Sequence, residues 1–156
     1  MNGMYAATVL VCASMAAEAP EQWLAAGKAP LHAHPTLVRM WERNNELRAS
    51  VGLAPHRLSP ELTKAAQDHA VYMARTGDFD HYGNGGPWAR AARWGFTGGI
   101  SENIAMGQGD VMGAFSAWQF SGGHWANLTS NTTEAGFGHA VSANGTPYWV
   151  AVYGSQ

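Results

Sequence analysis

The sequence predicts an α+β fold in which helices pack on an antiparallel sheet, and three observations support this prediction. The composition is that of one globular domain, with 156 residues of which 46% are hydrophobic and 13% charged. The first two thirds of the chain carry apolar residues at helical spacing between capping signals. The last part alternates apolar and small residues on both sides of Asn144-Gly145, which is typical of a β-hairpin. We therefore expect about four helices and at least two antiparallel strands.

Two longer helices are predicted first. Thr36 is expected to cap the first helix, which runs to about Val51, because Gly52 suits the position after a helix end. Ser59-Pro60 is an N-cap followed by proline at the first helical position, and Gly77 is expected to end this second helix. Its buried face contains Leu62, Ala65, Ala66, His69, Ala70 and Met73.

Shorter elements follow the second helix. Pro87 is expected to begin a short helix that runs through Trp94, and Asp110 to cap another that carries Val111, Ala114, Phe115 and Trp118. Gly122-Gly123 is expected to end that helix, with His124 beginning a further turn through Leu128. Asn144-Gly145 predicts a type I′ turn, which needs positive φ at both central residues.

Composition excludes several classes of partner. The formal net charge is −2 and Lys and Arg form no cluster, so we expect no nucleic acid and no anionic membrane surface as partner. Cys12 is the only cysteine, so no disulfide can form within the chain. Seven tryptophans indicate mainly core packing, although indole rings also stack on sugars and sterols.

The N-terminal region resembles a secretory signal. Residues 4–17 are apolar with small residues and are too short for a transmembrane span, so we predict a signal peptide or leader over residues 1–19. Residues 20–35 are then a proline-containing linker, and residues 36–156 form the folded domain. This interpretation predicts an extracellular or periplasmic protein. We also expect the protein to be a monomer. The alternative is an N-terminal extension on a cytoplasmic protein.

His81, Glu102 and His124 are the residues best suited to chemistry. Two imidazoles and a carboxylate can bind a transition metal or move protons at neutral pH. The three residues lie 21 and 22 positions apart, so the fold must bring them together. They fit the three ligands of a catalytic zinc, or Glu102 could instead hold a histidine ring from behind. A metal-free acid–base pair, and histidines that only bond their own loops, remain open as alternatives.

Other candidate residues are less specific. His69 lies on the apolar face of the second helix and His139 in a strand, and both are interpreted as core histidines with one nitrogen satisfied. Ser121 lies near His124 but in no G-x-S-x-G motif, which argues against a serine hydrolase. The glycine-rich loop at residues 83–86 lacks the lysine of a phosphate-binding loop. His32, His34 and His56 lie in proline-containing loops with no pattern of partners.

Three blocks of the sequence resemble one known family. The first contains Leu62, Ala65-Ala66, His69-Ala70, Met73-Ala74, Gly77, Phe79 and His81. The second contains Arg90, Gly95-Phe96 and Glu102-Asn103-Ile104-Ala105. The third contains Ala117-Trp118, Ser121, Gly123-His124, Asn127-Leu128, Gly136, Gly138 and Tyr148-Trp149-Val150. In order and spacing, over residues 36 to 153, they resemble the cysteine-free bacterial branch of the CAP superfamily (SCP/TAPS). That superfamily includes cysteine-rich secretory proteins, insect venom antigens and plant pathogenesis-related proteins.

The resemblance implies both a fold and a site. The fold is a three-layer α-β-α sandwich with a central antiparallel sheet. The site is an open cleft lined by two histidines and two acids, of which His81, His124 and Glu102 match three. The family's second acid lies on the helix before the second histidine and is missing here, so Asp110 or Glu134 is the candidate for the fourth position.

The resemblance also implies three candidate functions. The first is binding of a divalent metal, most readily Zn²⁺, in the cleft. The second is a non-enzymatic module that binds a lipid, a sterol or cell-wall material. The third is a metal-assisted hydrolase in which Glu102 is the general base.

Overall fold

A four-stranded sheet lies at the centre of the computed structural model, which describes residues 33–156. The helices are α1 (Pro35–Ser50), α2 (Pro60–Thr76), α3 (Pro87–Arg93), α4 (Val111–Gln119) and α5 (Gly122–Leu128). The strands are β1 (Arg57–Leu58), β2 (Gly99–Met106), β3 (Glu134–Val141) and β4 (Pro147–Ser155). Their order across the sheet is β1-β3-β4-β2. The three long strands are antiparallel, and the short edge strand β1 runs parallel to β3.

Each face of the sheet is covered by a different set of helices. Successive strand residues point to opposite faces, so Val150 and Val152 face one layer while Ala151 and Tyr153 face the other. The first face packs against Leu62, Ala66, Ala70 and Met73 of α2 and Ala91 of α3. The second packs against buried residues of α1, α4 and α5, among them Leu37, Met40, Phe115, Trp118 and Leu128. The predicted α+β class and its three layers are confirmed.

Helix α2 approaches the sheet so closely that β3 must carry glycine beneath it. A Cβ atom at Gly136 would overlap the backbone of Leu62 and Thr63, and one at Gly138 would overlap the backbone of Ala66. Gln67 of the same helix also pairs with the free edge of β3. Its side chain donates to the carbonyl of His139 (2.9 Å) and accepts from the N–H of His139 (3.0 Å). Helix α2 is thereby fixed in position, and with it the loop that follows.

The predicted starts of α2 and α4 are confirmed. Ser59 Oγ accepts a hydrogen bond from the N–H of Leu62 (3.3 Å), and Asp110 Oδ1 accepts one from the N–H of Gly113 (2.7 Å). Gly77 ends α2 in the left-handed region, as expected (φ 75°). Helix α1 begins slightly earlier than predicted, at Pro35, because proline suits the first turn and needs no N–H partner there.

Two local predictions are wrong. Gly122-Gly123 does not end α4, which stops at Gln119; both glycines have negative φ and form the first turn of α5. The β3–β4 turn is not type I′, because only Gly145 in it has positive φ (86°). The N–H of Gly145 donates to the carbonyl of Ser142 (2.9 Å) and that of Ser142 to the carbonyl of Thr146 (2.9 Å). This is a longer loop built on an ordinary turn, in which Gly145 supplies the left-handed residue.

The predicted leader over residues 1–19 and the greater part of the predicted linker lie outside the described residues. Within residues 33–156, none of the helices has the length and apolar character needed to cross a membrane.

Candidate functional site

His81 and Glu102 are brought together at the edge of the sheet. His81 lies in the loop after α2, and Glu102 lies in β2, which is an edge strand. His81 Nδ1 lies 2.9 Å from Glu102 Oε1. The His81 side chain is 39% exposed, whereas that of Glu102 is only 2% exposed. The Glu102 carboxylate is therefore buried, whereas the His81 ring that contacts it is partly exposed to solvent.

A buried arginine compensates the charge of that carboxylate. Arg90 of α3 donates from Nη2 to both oxygens of Glu102, at 2.9 and 2.7 Å, and its side chain is 1% exposed. The same guanidinium donates to the carbonyl of His81 (3.0 Å) and to that of Gly83. A buried ion pair of this kind needs such additional hydrogen bonds to offset the cost of removing two charges from water. Arg90 therefore holds both the carboxylate and the backbone of the His81 loop.

These contacts determine which nitrogen of His81 is available. An ionised carboxylate only accepts hydrogen bonds, so the Nδ1 atom of His81 must be the donor. In the neutral ring the lone pair then lies on Nε2. The partly exposed His81 ring thus offers Nε2 to solvent or to a bound ligand.

His124 is held in a similar way from the other side of β2. It lies in the first turn of α5, and its Nδ1 atom is 2.9 Å from Ser121 Oγ. Asn103 of β2 donates to the backbone carbonyl of His124 (2.9 Å). Asn127 in turn donates to Asn103 Oδ1 (2.9 Å) and to the Glu102 carbonyl (3.3 Å). Two asparagines thereby connect α5 to the strand that carries Glu102.

Burial and the neighbouring His81 both affect the protonation of His124. Burial lowers the pKa of His124 below its ordinary value, and the charge of a protonated His81 lowers it further. A neutral imidazole is favoured at His124 for both reasons. Where Nδ1 of His124 donates to the Ser121 hydroxyl, Nε2 of both neutral rings carries the lone pair, and two such imidazoles can bind a transition metal or exchange protons with a ligand. Within residues 33–156, however, no three His, Cys, Asp or Glu side chains are grouped closely enough to hold a metal ion by themselves.

The two candidates for the fourth position have partners elsewhere. Asp110 caps α4, as described above. Glu134, at the start of β3, accepts a hydrogen bond from Arg57 Nη2 of β1 (2.8 Å). No contact of either carboxylate with His81 or His124 is found among the described residues.

His69 lies next to the site, although its position on an apolar helix face indicated only a core residue. It is fully buried, and its Nε2 atom is 3.9 Å from Glu102 Oε1. Neither ring nitrogen makes a well-formed hydrogen bond among the described residues, although the backbone of Asp80 lies near enough to raise the pKa of the ring. Burial lowers the pKa of His69 to about 4, more than the nearby Glu102 carboxylate raises it. His69 is thus a buried, neutral side chain that packs beside the Glu102 carboxylate.

Arg90 is the site residue whose role sequence reasoning missed. The family pattern included it without assigning a function. Its position could have indicated this role, because Arg90 lies on the buried face of α3 with Pro87 and Ala91. A cation on an apolar helix face needs a buried anion, and Glu102 is that anion.

A second feature, the α1–hairpin groove, has neither His81 nor His124 among its lining residues. It has a volume of about 720 Å³ and is open to solvent. The ring centroids of His139 and Trp149 lie 4.0 Å apart in its wall. The other lining residues are Pro35, Thr36, Arg39, Gly107, Gly109, Asp110, Val111, Met112, Val141, Gly145 and Pro147. Asp110 thus lines this groove.

The model of the cysteine-rich secretory protein family, CAP, matches residues 41–153 of the chain. The matched region includes His81, Arg90, Glu102 and His124. No curated protein matches the chain closely enough in sequence to extend this comparison.

Solved structures with the same fold include three bacterial proteins. An outer surface protein from Borrelia burgdorferi is 20% identical, with a TM-score of 0.70 over 76% of this chain and 91% of its own. An extracellular protein containing a SCP domain from Bacillus anthracis is 21% identical, with a TM-score of 0.68 over 78% of this chain and 40% of its own. A cysteine-rich secretory protein from Staphylococcus aureus is 22% identical, with a TM-score of 0.62 over 78% and 39%. The chain spans about two fifths of the length of the latter two proteins.

Proposed function

The chain belongs to the CAP, or cysteine-rich secretory protein, family, and from this premise we propose that its cleft binds a divalent metal ion such as Zn²⁺ through His81 and His124. One observation carries the proposal: the Nδ1 atom of each ring is engaged by an oxygen, in one case of Glu102 and in the other of Ser121. Metal-binding histidines typically use one nitrogen for the metal and the other for such a partner.

The donor chemistry of the cleft fits zinc or a similar transition metal. Imidazole nitrogen suits Zn²⁺, Cu²⁺ and Ni²⁺ better than Mg²⁺ or Ca²⁺, which prefer oxygen ligands. Glu102 is better placed as the partner that orients His81 than as a ligand, because Arg90 and His81 already engage both of its oxygens. Two protein ligands leave other coordination positions for water or for a bound molecule. A metal held there would act as a Lewis acid toward such a molecule.

Calorimetric titration of the metal-free protein with Zn²⁺ tests the proposal. We expect one binding event in the wild type and its loss in the His81→Ala/His124→Ala double variant. His139→Ala is the matched control, since His139 lies in the α1–hairpin groove. Equal affinity in the wild type and the double variant, or a loss in the control alone, would rule out this cleft as the metal site.

We also propose export from the cytoplasm. The apolar residues 4–17 support this, and two proteins of similar fold are described as an outer surface protein and an extracellular protein. Expression of the full chain in a bacterium, with fractionation and intact-mass measurement, tests it. A mature chain that lacks about the first 19 residues, found outside the cytoplasm, is the expected result. An uncleaved chain that stays in the cytoplasm would contradict the proposal.

A second candidate function is a non-enzymatic module that binds a lipid, a sterol or cell-wall material. The α1–hairpin groove supports it, since it combines apolar side chains with the paired rings of His139 and Trp149. Retention of a lipid or cell-wall component from an extract, insensitive to EDTA and to His124→Ala, would favour this function over metal binding. If Trp149→Ala leaves retention unchanged, the groove is not the binding site.

The third candidate function, a metal-assisted hydrolase, receives less support. It requires Glu102 to take a proton from water as general base. The Glu102 side chain is 2% exposed, and its oxygens accept hydrogen bonds from Arg90 and His81. A carboxylate so enclosed is better suited to orient a histidine than to activate water.

A further inference from the structure

Arg90 does more than support the fold. Among the described residues, Glu102 is the carboxylate that contacts His81. Arg90 donates hydrogen bonds from Nη2 to both oxygens of that carboxylate. We infer that Arg90 is a specificity-determining positioning residue: by pairing with Glu102 it reserves that carboxylate for the His81 ring and withholds it from a bound cation. The part of this inference that concerns metals rests on the proposed function, whereas the part that concerns the His81 ring does not.

Burial and hydrogen bonding prevent Glu102 from turning away from Arg90 and His81 toward a bound cation. Both side chains of the ion pair are at least 98% buried, so water cannot replace either partner. To ligate a metal, the carboxylate would have to release Arg90 and leave the guanidinium charge buried without its anion, which is costly. Arg90 also donates to the carbonyls of His81 and Gly83, so the same side chain fixes the loop that carries the ring.

A consequence follows for metal selectivity. Hard cations such as Mn²⁺, Mg²⁺ and Ca²⁺ depend on carboxylate oxygens, and the Arg90–Glu102 pair removes the nearest one. Two imidazoles remain, and they favour Zn²⁺ or Cu²⁺. If Arg90 is replaced by an uncharged residue, Glu102 becomes free to turn toward a cation, and the selectivity should shift toward hard metals.

The first test uses the metal-free protein. Nitrogen-15 NMR of the imidazole rings should show His81 in the Nδ1–H form in the wild type. In Arg90→Gln, which keeps a polar side chain but loses the charge, the ring should lose this single form and become a mixture. Arg90→Lys keeps the charge, but its three donors lie on one nitrogen and cannot reproduce the four contacts that Arg90 makes from two nitrogens, so it should be intermediate. If Arg90→Gln does not fold, Arg90→Lys alone decides the question.

Arg48→Gln is the matched control. Arg48 is also buried, at 3% exposure, but its hydrogen bonds within residues 33–156 go to backbone carbonyls, those of Ala54, Leu128, Ser130 and Thr132. Its replacement should reduce stability without changing the form of the His81 ring. If Arg90 were only a structural residue, both variants would lose stability and neither would alter His81.

The second test compares Zn²⁺ with Mn²⁺ by competitive titration of the wild type and the Arg90 variants. We expect Zn²⁺ affinity to fall about 10- to 100-fold in Arg90→Gln, as for other residues that orient a ligand, while Mn²⁺ affinity is kept or gained. An Nε2–H form of His81 in the wild type, or an unchanged Zn²⁺/Mn²⁺ ratio in a folded Arg90 variant that binds metal, would overturn the inference. If the wild type binds no Zn²⁺ but the His81 form depends on Arg90, the proposed function fails and the positioning role stands.

Discussion

Mild acid should destabilise this protein through histidines that fold in their neutral form, and His69 is the clearest case. It is fully buried, and burial lowers its pKa from 6.5 to about 4. In the unfolded chain the ring binds a proton near pH 6.5, so between pH 6.5 and 4 the unfolded state binds more protons than the native state. The free energy of unfolding must then fall as the pH falls through this window.

The loss of unfolding free energy follows from the amount by which the pKa of His69 is lowered. About 2.5 pKa units correspond to about 3.4 kcal/mol when the whole window is crossed, and to about 2 kcal/mol between pH 7 and pH 5. His56 is also buried, and burial together with the charge of Arg48 lowers its pKa to about 4, so it adds a similar amount. Together they would remove about 6 kcal/mol by pH 4, which is comparable with the whole stability of a typical domain.

Urea unfolding at pH 7, 6 and 5 measures this directly. The wild type should lose stability steadily over this range, and His69→Leu should lose about 2 kcal/mol less between pH 7 and pH 5. Leucine is a suitable replacement because the site is fully buried and neither nitrogen of the His69 ring makes a well-formed hydrogen bond among the described residues. Met73→Leu, on the same buried face of α2, is the control, and its pH dependence should equal that of the wild type. Equal pH dependence in His69→Leu and the wild type would refute the reasoning.

Two further predictions concern how α2 is held against β3. Gly138→Ala should lower the free energy of unfolding by at least about 1–3 kcal/mol, because the new methyl group would overlap the backbone of Ala66; Gly109→Ala, whose methyl group meets nothing within 4 Å, is the control in a thermal melt. Equal melting temperatures for the two variants would contradict the close approach. Gln67→Leu should cost about 2 kcal/mol, since it removes two hydrogen bonds to the His139 backbone, and the His139 amide should then exchange faster with solvent. Unchanged exchange at His139 would show that this edge of β3 is protected by something else.

Much of the fold was predictable because its signals are local. Ser59 and Asp110 cap helices with their own side chains, and Gly77 can adopt the left-handed conformation that ends α2. Such preferences act over a few residues and can be read from the sequence. The same reasoning was wrong at Gly122-Gly123, because glycine there serves the start of α5. It was also wrong for the turn at Asn144-Gly145, because the hydrogen bonds close the loop between Ser142 and Thr146 and leave three residues in it rather than two.

Some features of the site were likewise predictable from the sequence, and others were not. The sequence by itself determined the residue types that can do chemistry, and the order of His81, Glu102 and His124 within blocks that resemble the family. Only the tertiary structure decided that Glu102 is buried behind His81, that Asp110 and Glu134 have partners elsewhere, and that Arg90 and His69 enclose the carboxylate. The physical reason is that a charge is stabilised by whatever surrounds it in space. Arg90 lies 12 positions from Glu102 and His69 lies 33 positions from it, on two different helices. Their proximity arises only when α2 and α3 pack on the same face of the sheet.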